Sequence, residues 1–249
     1  MSHQYLQQVL QSQQVPASEV SVLQATRSAL ESTLRDKYGV SPRIYYGGSY
    51  GKDTMIRASY DLDIIVYFPH TDTTSLRDLY GGVYHTLKSS GLIVQPKTVA
   101  IRLPYQDGFH IDVVPGRAHD STFRYATLYK NPGSTLQTSL KVHIEAVRRS
   151  GMRDVVRLTK LWRLRHGLSW ETFALEIVVA RALAGKSITD YAASTIEVWK
   201  FIVASLARAR LMDPANTNNE IDMSVPDRAS AIRAASASLA AKTWQEVIW

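Results

Sequence analysis

Two aspartates that lie close together have the residue type and the spacing that metal-assisted chemistry needs. Asp61 and Asp63 are separated by one residue, and in a strand such side chains project from the same face and can hold one cation between them. The residues at 64–68 are uniformly apolar, which predicts a strand buried on both faces. A carboxylate beside such a strand is costly unless a partner neutralises it. Mg²⁺ suits this site because it prefers carboxylate oxygens and shares them with substrate phosphates.

A glycine-rich turn precedes the aspartate pair. Gly47 and Gly48 follow a short apolar run, and they allow the backbone to turn tightly and to approach a ligand closely. Backbone amides in such a turn, together with the hydroxyls of Ser49 and Thr54, can cradle phosphate oxygens. The turn is not a P-loop, because no Gly-Lys-Ser/Thr follows at the required spacing. An ordinary glycine turn without a ligand is the alternative.

A third acid, Asp112, interrupts the apolar run at 109–115. The alternation in this run predicts a strand in which Asp112 faces the side opposite to its apolar neighbours. Residues 99–103 predict a second strand, and Gln106-Asp107-Gly108 predicts the hairpin turn between the two. Three carboxylates on neighbouring strands can bind two metal ions, which activate an attacking hydroxyl and stabilise a leaving pyrophosphate.

Three separated elements of the sequence resemble a known signature. They are, in order, Gly48-Ser49-Tyr50 with Lys52 and Thr54, then Asp61-Leu62-Asp63, then Ile111-Asp112-Val113-Val114-Pro115. Their order and spacing resemble the polymerase-β-like nucleotidyltransferases, and among these the bacterial cyclic-oligonucleotide synthases, which are relatives of cyclic GMP-AMP synthase and 2′-5′-oligoadenylate synthase. Asp53 departs from the pattern, because glycine often stands before that threonine.

The resemblance implies an α+β fold in which a mixed-sheet lobe packs against a C-terminal helical lobe, with the active site in the cleft. It implies that Asp61 and Asp63 hold two Mg²⁺ ions, with Mn²⁺ as an alternative, and that Asp112 holds the ion that activates the acceptor hydroxyl. It also assigns the β- and γ-phosphates of the donor to a set of residues near the glycine turn: Gly48, Ser49, Lys52 and Thr54.

Three residues of the helical half gain nucleotide contacts by the same resemblance. In related synthases a lysine on the corresponding helix contacts the triphosphate, which assigns that role to Lys160, and a lysine side chain suits a phosphate. Ser169 and Trp170 open the next predicted helix, where free backbone amides favour an anion. The resemblance assigns phosphate contact to Ser169 and base stacking to Trp170. Packing at the start of the helix is the alternative for Trp170.

Apolar periodicity predicts helices at both ends of the chain. Before the boundary near residue 140 they are expected at 1–13, from Pro16 to Gly39, and at 73–90. Beyond it the pattern is almost wholly helical, at 139–150, 152–166, 170–186, 189–210 and 227–249. A strand-rich half followed by a helical half argues for two lobes. We therefore expect a nucleotidyltransferase core over 1–140 and a helical nucleotide-binding lobe over 141–249.

Composition limits the class of protein. The 249 residues contain no cysteine, which excludes disulfides, thiol catalysis and Cys-ligated zinc. No signal peptide and no apolar run of about 18 residues are visible, so we expect a cytoplasmic protein without a membrane partner. The net charge is +7, which favours an anionic partner. Eight Lys or Arg face two acids over 141–166. This basic region is either a solvated helix face, a wall for the triphosphate, or a docking surface for an activating nucleic acid or protein.

The expected function is that of a Mg²⁺-dependent nucleotidyltransferase that joins NTPs into a cyclic di- or trinucleotide second messenger and releases pyrophosphate. By resemblance this activity would serve bacterial antiphage defence. A template-independent RNA terminal nucleotidyltransferase of the CCA-adding kind uses the same motifs. An aminoglycoside-type transferase usually needs acids in its helical half, which here is strongly basic. A catalytically degenerate nucleotide- or RNA-binding module is the alternative that is not an enzyme.

Overall fold

The computed structural model describes residues 2–105, 109–148 and 151–249. The helices in these ranges are α1 (Ser2–Ser12), α2 (Ala17–Tyr38), α3 (Gly48–Lys52), α4 (Leu76–Ser89), α5 (Leu140–Arg148), α6 (Arg153–Arg165), α7 (Thr172–Ala182), α8 (Tyr191–Ser205) and α9 (Val225–Ala240), with a 3₁₀ turn at Trp244–Glu246. The strands are β1 (Arg43–Tyr46), β2 (Leu62–Phe68), β3 (Gln95–Pro96), β4 (Ile101–Pro104), β5 (His110–Ala118), β6 (Ala126–Lys130), β7 (Ser134–Thr138), β8 (Met212–Asp213) and β9 (Asn216–Glu220).

Strands β1 to β7 form one mixed sheet. Its order is β1-β2-β5-β4-β3, with β6 on β5 and β7 on β6. Strands β2 and β5 are parallel, and the other pairs are antiparallel. The parallel pairing sets Asp63 opposite Asp112. The predicted alternation in β5 is confirmed, because Ile111 and Val113 are fully buried whereas Asp112 lies on the other face.

Both faces of the sheet are covered by apolar side chains. On one face α4 packs against β5 and α2 packs against α4, through buried leucines that include Leu34 and Leu87. Another cluster of this unit joins Ile65 and Tyr67 of β2 to Leu128 of β6. Strand β2 is therefore buried along most of its length, as its apolar run predicts. The acids that precede and begin it stand at the edge of this apolar core.

The described residues divide into two compact units. The sheet unit comprises Val15–Lys52 and Tyr60–Ile144, and the helical unit comprises Met1–Gln14, Asp53–Ser59 and Glu145–Trp249. Helix α1 belongs to the helical unit because its buried apolar side chains join the same core as those of α6 to α9. The predicted boundary near residue 140 lies close to the last crossing between the units, and as a division into domains it stays a prediction.

Each predicted helix exists, with shorter ends. Helix α2 ends at Gly39, which has a φ of 60° and therefore a conformation that glycine adopts readily. The helix expected over 227–249 ends at Ala240, because the next residue is extended. Strands β1, β3 and β6 to β9 and helix α3 were not predicted, and the turn expected at 106–108 lies outside the described residues. Over the ranges that the structure describes, no helix combines the length and the apolar character that a membrane crossing requires.

Candidate active site

The three predicted metal-ligating aspartates lie at one end of the parallel pair β2–β5. Asp61 directly precedes β2, Asp63 is the second residue of that strand, and Asp112 stands opposite Asp63 in the register. Parallel pairing brings the starts of both strands to the same edge of the sheet. The side chain of Asp61 is 40% exposed and that of Asp112 is 14% exposed. The sheet topology therefore brings together the residues that the sequence separates by about fifty positions.

Burial and the neighbouring carboxylates together raise the pKa of Asp63. Its pKa is raised from 3.8 to about 7, chiefly by burial and then by the charges of Asp61 and Asp112. The charges of Lys52 and His110 act in the opposite direction. Converging carboxylates disfavour one another's ionised forms, and a bound cation relieves that repulsion.

Two basic side chains face the aspartates. The guanidinium of Arg102 donates from Nε to Asp112 Oδ1 at 2.9 Å and from Nη2 to Asp112 Oδ2 at 2.7 Å. The Nε2 atom of His110 lies 3.3 Å from Asp61 Oδ2 and 3.7 Å from Asp112 Oδ2. The hydrogen bond with Asp61 is the main cause that raises the pKa of His110, against the effect of burial. These contacts compensate part of the negative charge of the site.

The glycine turn approaches the carboxylate of Asp63. The amide of Gly47 donates to the carbonyl oxygen of Asp63 at 2.8 Å. Gly48 has a φ of 47°, and a Cβ added to it would lie 1.6 Å from Asp63 Oδ2. A side chain at position 48 would displace the carboxylate of Asp63, so this close approach favours glycine there. The turn continues directly into the short helix α3, which the sequence did not predict.

Helix α3 presents two of the predicted phosphate ligands. Ser49 is buried, and among the described residues its Oγ has no hydrogen-bond partner. Lys52 is also buried, and its charge lowers the pKa of Asp63. A buried hydroxyl without a partner is unusual in a folded protein. An incoming phosphate oxygen would supply the missing acceptor, which is consistent with the predicted role of Ser49.

Lys160 and Thr54 contact each other within the helical unit. The Nζ atom of Lys160 donates to the carbonyl oxygen of Thr54 at 3.0 Å, and both residues are buried. Leu158 and Trp162, also on α6, are fully buried in the apolar core, as their helical spacing indicates. Within the described residues the Oγ1 atom of Thr54 has no hydrogen-bond partner. Lys160 therefore holds the backbone at a predicted phosphate ligand, and its own contact with a triphosphate stays a prediction.

Ser169 and Trp170 lie before α7, which begins at Thr172, and so they do not open that helix as predicted. The hydroxyl of Ser169 donates to Asp227 Oδ1 at 2.7 Å. The hydrogen bond from Ser224, and after it the one from Ser169, lower the pKa of Asp227. Trp170 is 3% exposed and belongs to the apolar core of the helical unit. Trp170 therefore packs in the core, in agreement with the packing alternative. Its base-stacking role stays a prediction that would require the side chain to leave the core.

Part of the basic region at 141–166 is committed to internal contacts. Arg157 donates to the carbonyl oxygens of Met55 at 3.2 Å and Leu10 at 3.1 Å. Arg153 pairs with Asp53 through Nη1 and Oδ2 at 2.6 Å, and Asp53 has a φ of 60°. Arg157 therefore stabilises the helical unit itself. The docking role predicted for this region rests on its other basic residues and stays a prediction.

Comparison of the sequence with curated proteins gives one relative. The chain is 27% identical over 207 residues to the cyclic AMP-AMP-AMP synthase of Escherichia coli strain MS 115-1, with 75% of this chain and 64% of that protein covered. The chain thus spans less than two thirds of the length of that relative. No known family model matches the chain.

Solved structures give the fold. The CdnC protein of Escherichia coli MS115-1, in its complex with HORMA-deltaN, superposes with a TM-score of 0.77 at 20% identity and covers 99% of this chain and 96% of its own. The CdnE cyclic dinucleotide synthase of Elizabethkingia meningoseptica, with GTP and Apcpp, superposes with a TM-score of 0.72 at 18% identity over 96% of this chain and 98% of its own. The chain has the polymerase-β-like nucleotidyltransferase fold. The predicted α+β class and the resemblance to cyclic-oligonucleotide synthases are thereby confirmed at the level of fold.

The sequence predicts that the three aspartates hold a cation, and their surroundings show whether they could do so. In the described part of the chain, no group of three or more His, Cys, Asp or Glu side chains is arranged to hold a metal ion as it stands. The donor set is nevertheless suitable, because all three aspartates offer the hard oxygens that Mg²⁺ prefers. Arg102 uses one lone pair on each oxygen of Asp112, and a second lone pair on each remains for a cation. The residues therefore fit a divalent ion.

Arg102 was not predicted from the sequence as a residue of the site. The available signal was its place in the predicted strand at 99–103, beside the strand of Asp112 in a hairpin. Side chains directly opposite in an antiparallel pair interact, and a hairpin turn centred on residue 107 sets residue 102 opposite residue 112. The register of β4 and β5 has this pairing of Arg102 with Asp112.

Replacing Lys160 by methionine is expected to lower the free energy of unfolding by about 1–3 kcal/mol, because the buried carbonyl of Thr54 loses a charged donor. Urea denaturation measures this change. The matched control is Lys200→Met on α8, where the lysine is exposed and pairs with Glu197, and a change within about 0.5 kcal/mol is expected. An equally small change for both variants would contradict the internal role of Lys160. An unchanged KM for NTP would contradict its predicted contact with the triphosphate.

Proposed function

We propose that this protein is a Mg²⁺-dependent nucleotidyltransferase that joins NTPs into a cyclic di- or trinucleotide and releases pyrophosphate. The observation that carries the proposal is the parallel register of β2 and β5, which brings Asp61, Asp63 and Asp112 together beside the glycine turn. The relatives support this choice of product, since one is named a cyclic AMP-AMP-AMP synthase and another a cyclic dinucleotide synthase. Mn²⁺ is an alternative ion.

In the proposed reaction the oxygen of an acceptor hydroxyl forms a bond to the α-phosphorus of a donor NTP, and the bond to the pyrophosphate oxygen breaks. A divalent ion held by the aspartates would neutralise charge and polarise the phosphate. Asp61 and Asp63 would bind the divalent ion. Asp112 would orient the acceptor hydroxyl and take its proton on a carboxylate oxygen. The proton thus leaves the nucleophile as the pyrophosphate departs with the electron pair.

Helix α3 and the glycine turn would hold the donor phosphates. Gly48 leaves the space beside Asp63 free of a side chain, so the backbone can approach a phosphate closely. Ser49 Oγ can donate to a phosphate oxygen, and the buried charge of Lys52 favours an anion at this place. This placement would align the α-phosphorus for attack, and alignment of this kind supplies a large part of the catalytic effect in such reactions.

The experiment that tests the proposal is incubation of the purified protein with all four labelled NTPs and Mg²⁺, followed by phosphatase treatment, thin-layer chromatography and mass spectrometry. A small phosphatase-resistant product is expected, and it should disappear in EDTA and in the Asp61→Asn variant. Asp36→Asn is the matched control, because Asp36 is an exposed residue of α2 and its replacement should leave the yield unchanged.

The other functions give different results in the same assay. Labelling of added RNA, without a phosphatase-resistant small product, would indicate a terminal transferase instead. Binding of NTP without any transfer would indicate a nucleotide-binding module. The Escherichia coli CdnC structure is a complex with HORMA-deltaN, and for this chain we propose an activating partner, either a protein or a nucleic acid, at the basic region 141–166. The assay is therefore repeated with added double-stranded nucleic acid and with host extract. A cytoplasmic location and a role in antiphage defence complete the proposal.

A further inference from the structure

The fork between Arg102 and Asp112 differs from an ordinary exposed ion pair. Two parallel hydrogen bonds, at 2.9 and 2.7 Å, join the guanidinium to both carboxylate oxygens. The planar guanidinium matches the carboxylate in this arrangement and fixes its direction as well as its distance. The side chain of Arg102 is 33% exposed and that of Asp112 is 14% exposed. A single point charge at the same place would fix the distance alone.

The backbone of Arg102 is held firmly in the sheet. Its neighbours in β4, Ile101 and Leu103, are buried on the opposite face, and the strand is paired with β5 so that Arg102 stands opposite Asp112. The guanidinium therefore extends from a rigid element rather than from a loop. Groups placed in this way hold a functional side chain more accurately than loop residues do.

Asp112 also has a second basic neighbour. His110 lies two residues earlier on the same strand and has its Nε2 3.7 Å from Asp112 Oδ2, but it lies nearer to Asp61 Oδ2, at 3.3 Å. His110 therefore contacts two carboxylates at longer distances and does not set the direction of either as a fork does. Of these two basic neighbours, Arg102 is the one whose contact constrains the direction of the Asp112 carboxylate.

We propose that Arg102 is a positioning residue that holds the carboxylate of Asp112 in the orientation needed for cation binding and for the acceptor hydroxyl. The inference rests on the proposed function. Each oxygen of Asp112 keeps one lone pair that the fork does not use, and the fork directs those lone pairs. Partners of this kind, which orient a ligand without touching the ion, typically contribute 10- to 100-fold to affinity or activity.

The first test is the Arg102→Lys variant, which keeps the positive charge and removes the fork. We expect kcat to fall about 10- to 100-fold while KM for NTP stays within about twofold, because Arg102 is not among the proposed triphosphate contacts. The matched control is Arg117→Lys, on the same sheet, where Nη1 donates to the carbonyl oxygens of Asp72 at 3.2 Å and Thr74 at 2.8 Å. A similar loss of kcat in both variants would reduce Arg102 to a structural role and overturn the proposal.

The second test measures cation binding without turnover. Mn²⁺ is titrated into the protein without NTP, and free Mn²⁺ is followed by electron paramagnetic resonance. We expect Arg102→Lys to weaken binding about 10- to 100-fold and Arg117→Lys to leave it unchanged. Unchanged or tighter binding by Arg102→Lys would make Arg102 a competitor of the cation and overturn the inference, as would a lack of Mn²⁺ binding by the original protein.

These two readouts separate the inference from the proposed function. A protein that binds Mn²⁺ but forms no nucleotide product would contradict the proposed function, while the comparison of the variants in Mn²⁺ binding would still decide the role of Arg102. Circular dichroism and thermal melting check that each variant is folded. If Arg102→Lys does not fold, Arg102→Gln replaces it, with the same expected loss of kcat.

Discussion

Replacing Asp63 by asparagine is expected to abolish nucleotide transfer and, in the absence of divalent ions, to stabilise the protein at alkaline pH. The carboxylate is a proposed cation ligand, and its amide substitute lacks the charge that a cation needs, so we expect at least about a 100-fold loss of kcat. The same charge is costly to the cation-free fold, because burial and the neighbouring aspartates raise the pKa of Asp63 to about 7. Activity and stability should therefore change in opposite directions.

The pH dependence follows from the direction of this shift. The pKa of Asp63 is higher in the folded protein than the value of about 3.9 in an unfolded chain, so between those values the folded state binds the proton more tightly. Stability must fall as the pH rises from about 4 to about 7, and the full cost is present above that range. A shift to about 7 corresponds to up to about 4 kcal/mol. Since Asp63 is partly exposed, solvent screening reduces the expected gain to about 1–3 kcal/mol.

Urea denaturation in EDTA at pH 5 and at pH 8.5 measures this effect. Asp63→Asn should be more stable than the original protein at pH 8.5, with a smaller difference at pH 5. Asp36→Asn, at an exposed position of α2, serves as the control and should change little at either pH. If Asp63→Asn lowers stability equally at both pH values, then Asp63 contributes through its shape and hydrogen bonds and not through an unfavourable charge.

Replacing Gly48 by alanine is expected to reduce kcat by at least about 100-fold, because a misplacement of about 1 Å in a catalytic group has an effect of that size. An added Cβ would lie 1.6 Å from Oδ2 and 2.5 Å from Cγ of Asp63, so the carboxylate has to move. The positive φ of 47° adds about 1 kcal/mol of backbone strain for any residue with a side chain.

Gly91→Ala is a matched control for the strain. Gly91 lies in the same unit with a φ of 86°, and a Cβ there would meet no described atom within 4 Å. Both variants should lose about 1 kcal/mol of stability from the backbone, and only Gly48→Ala should lose activity. Steady-state kinetics and thermal melting of the two variants test this expectation. Equal activity of the two would show that Asp63 can relax away from the added methyl group without consequence.

Much of the fold follows from local patterns. The apolar run at 64–68 predicts the buried strand β2, and the alternation around Asp112 predicts β5 with its acid on one face. The helices follow from apolar spacing, with Gly39 and Gly91 marking ends at positive φ. Strands β8 and β9 could not be predicted in this way, because Asn216–Glu220 has no apolar alternation. Nothing in that segment indicates a strand before its partner is known.

The sequence by itself determined the chemistry that the candidate site contains. Asp61, Asp63 and Asp112 supply hard oxygen donors, and Gly48 supplies a turn without a side chain, because residue type and local spacing are properties of short segments. Only the tertiary structure decided which groups surround them. Pairing between the distant strands β2 and β5 sets Asp63 opposite Asp112, and packing between distant helices buries Trp170 in a core. Register and burial depend on contacts between segments far apart in the chain, and local spacing does not encode those contacts.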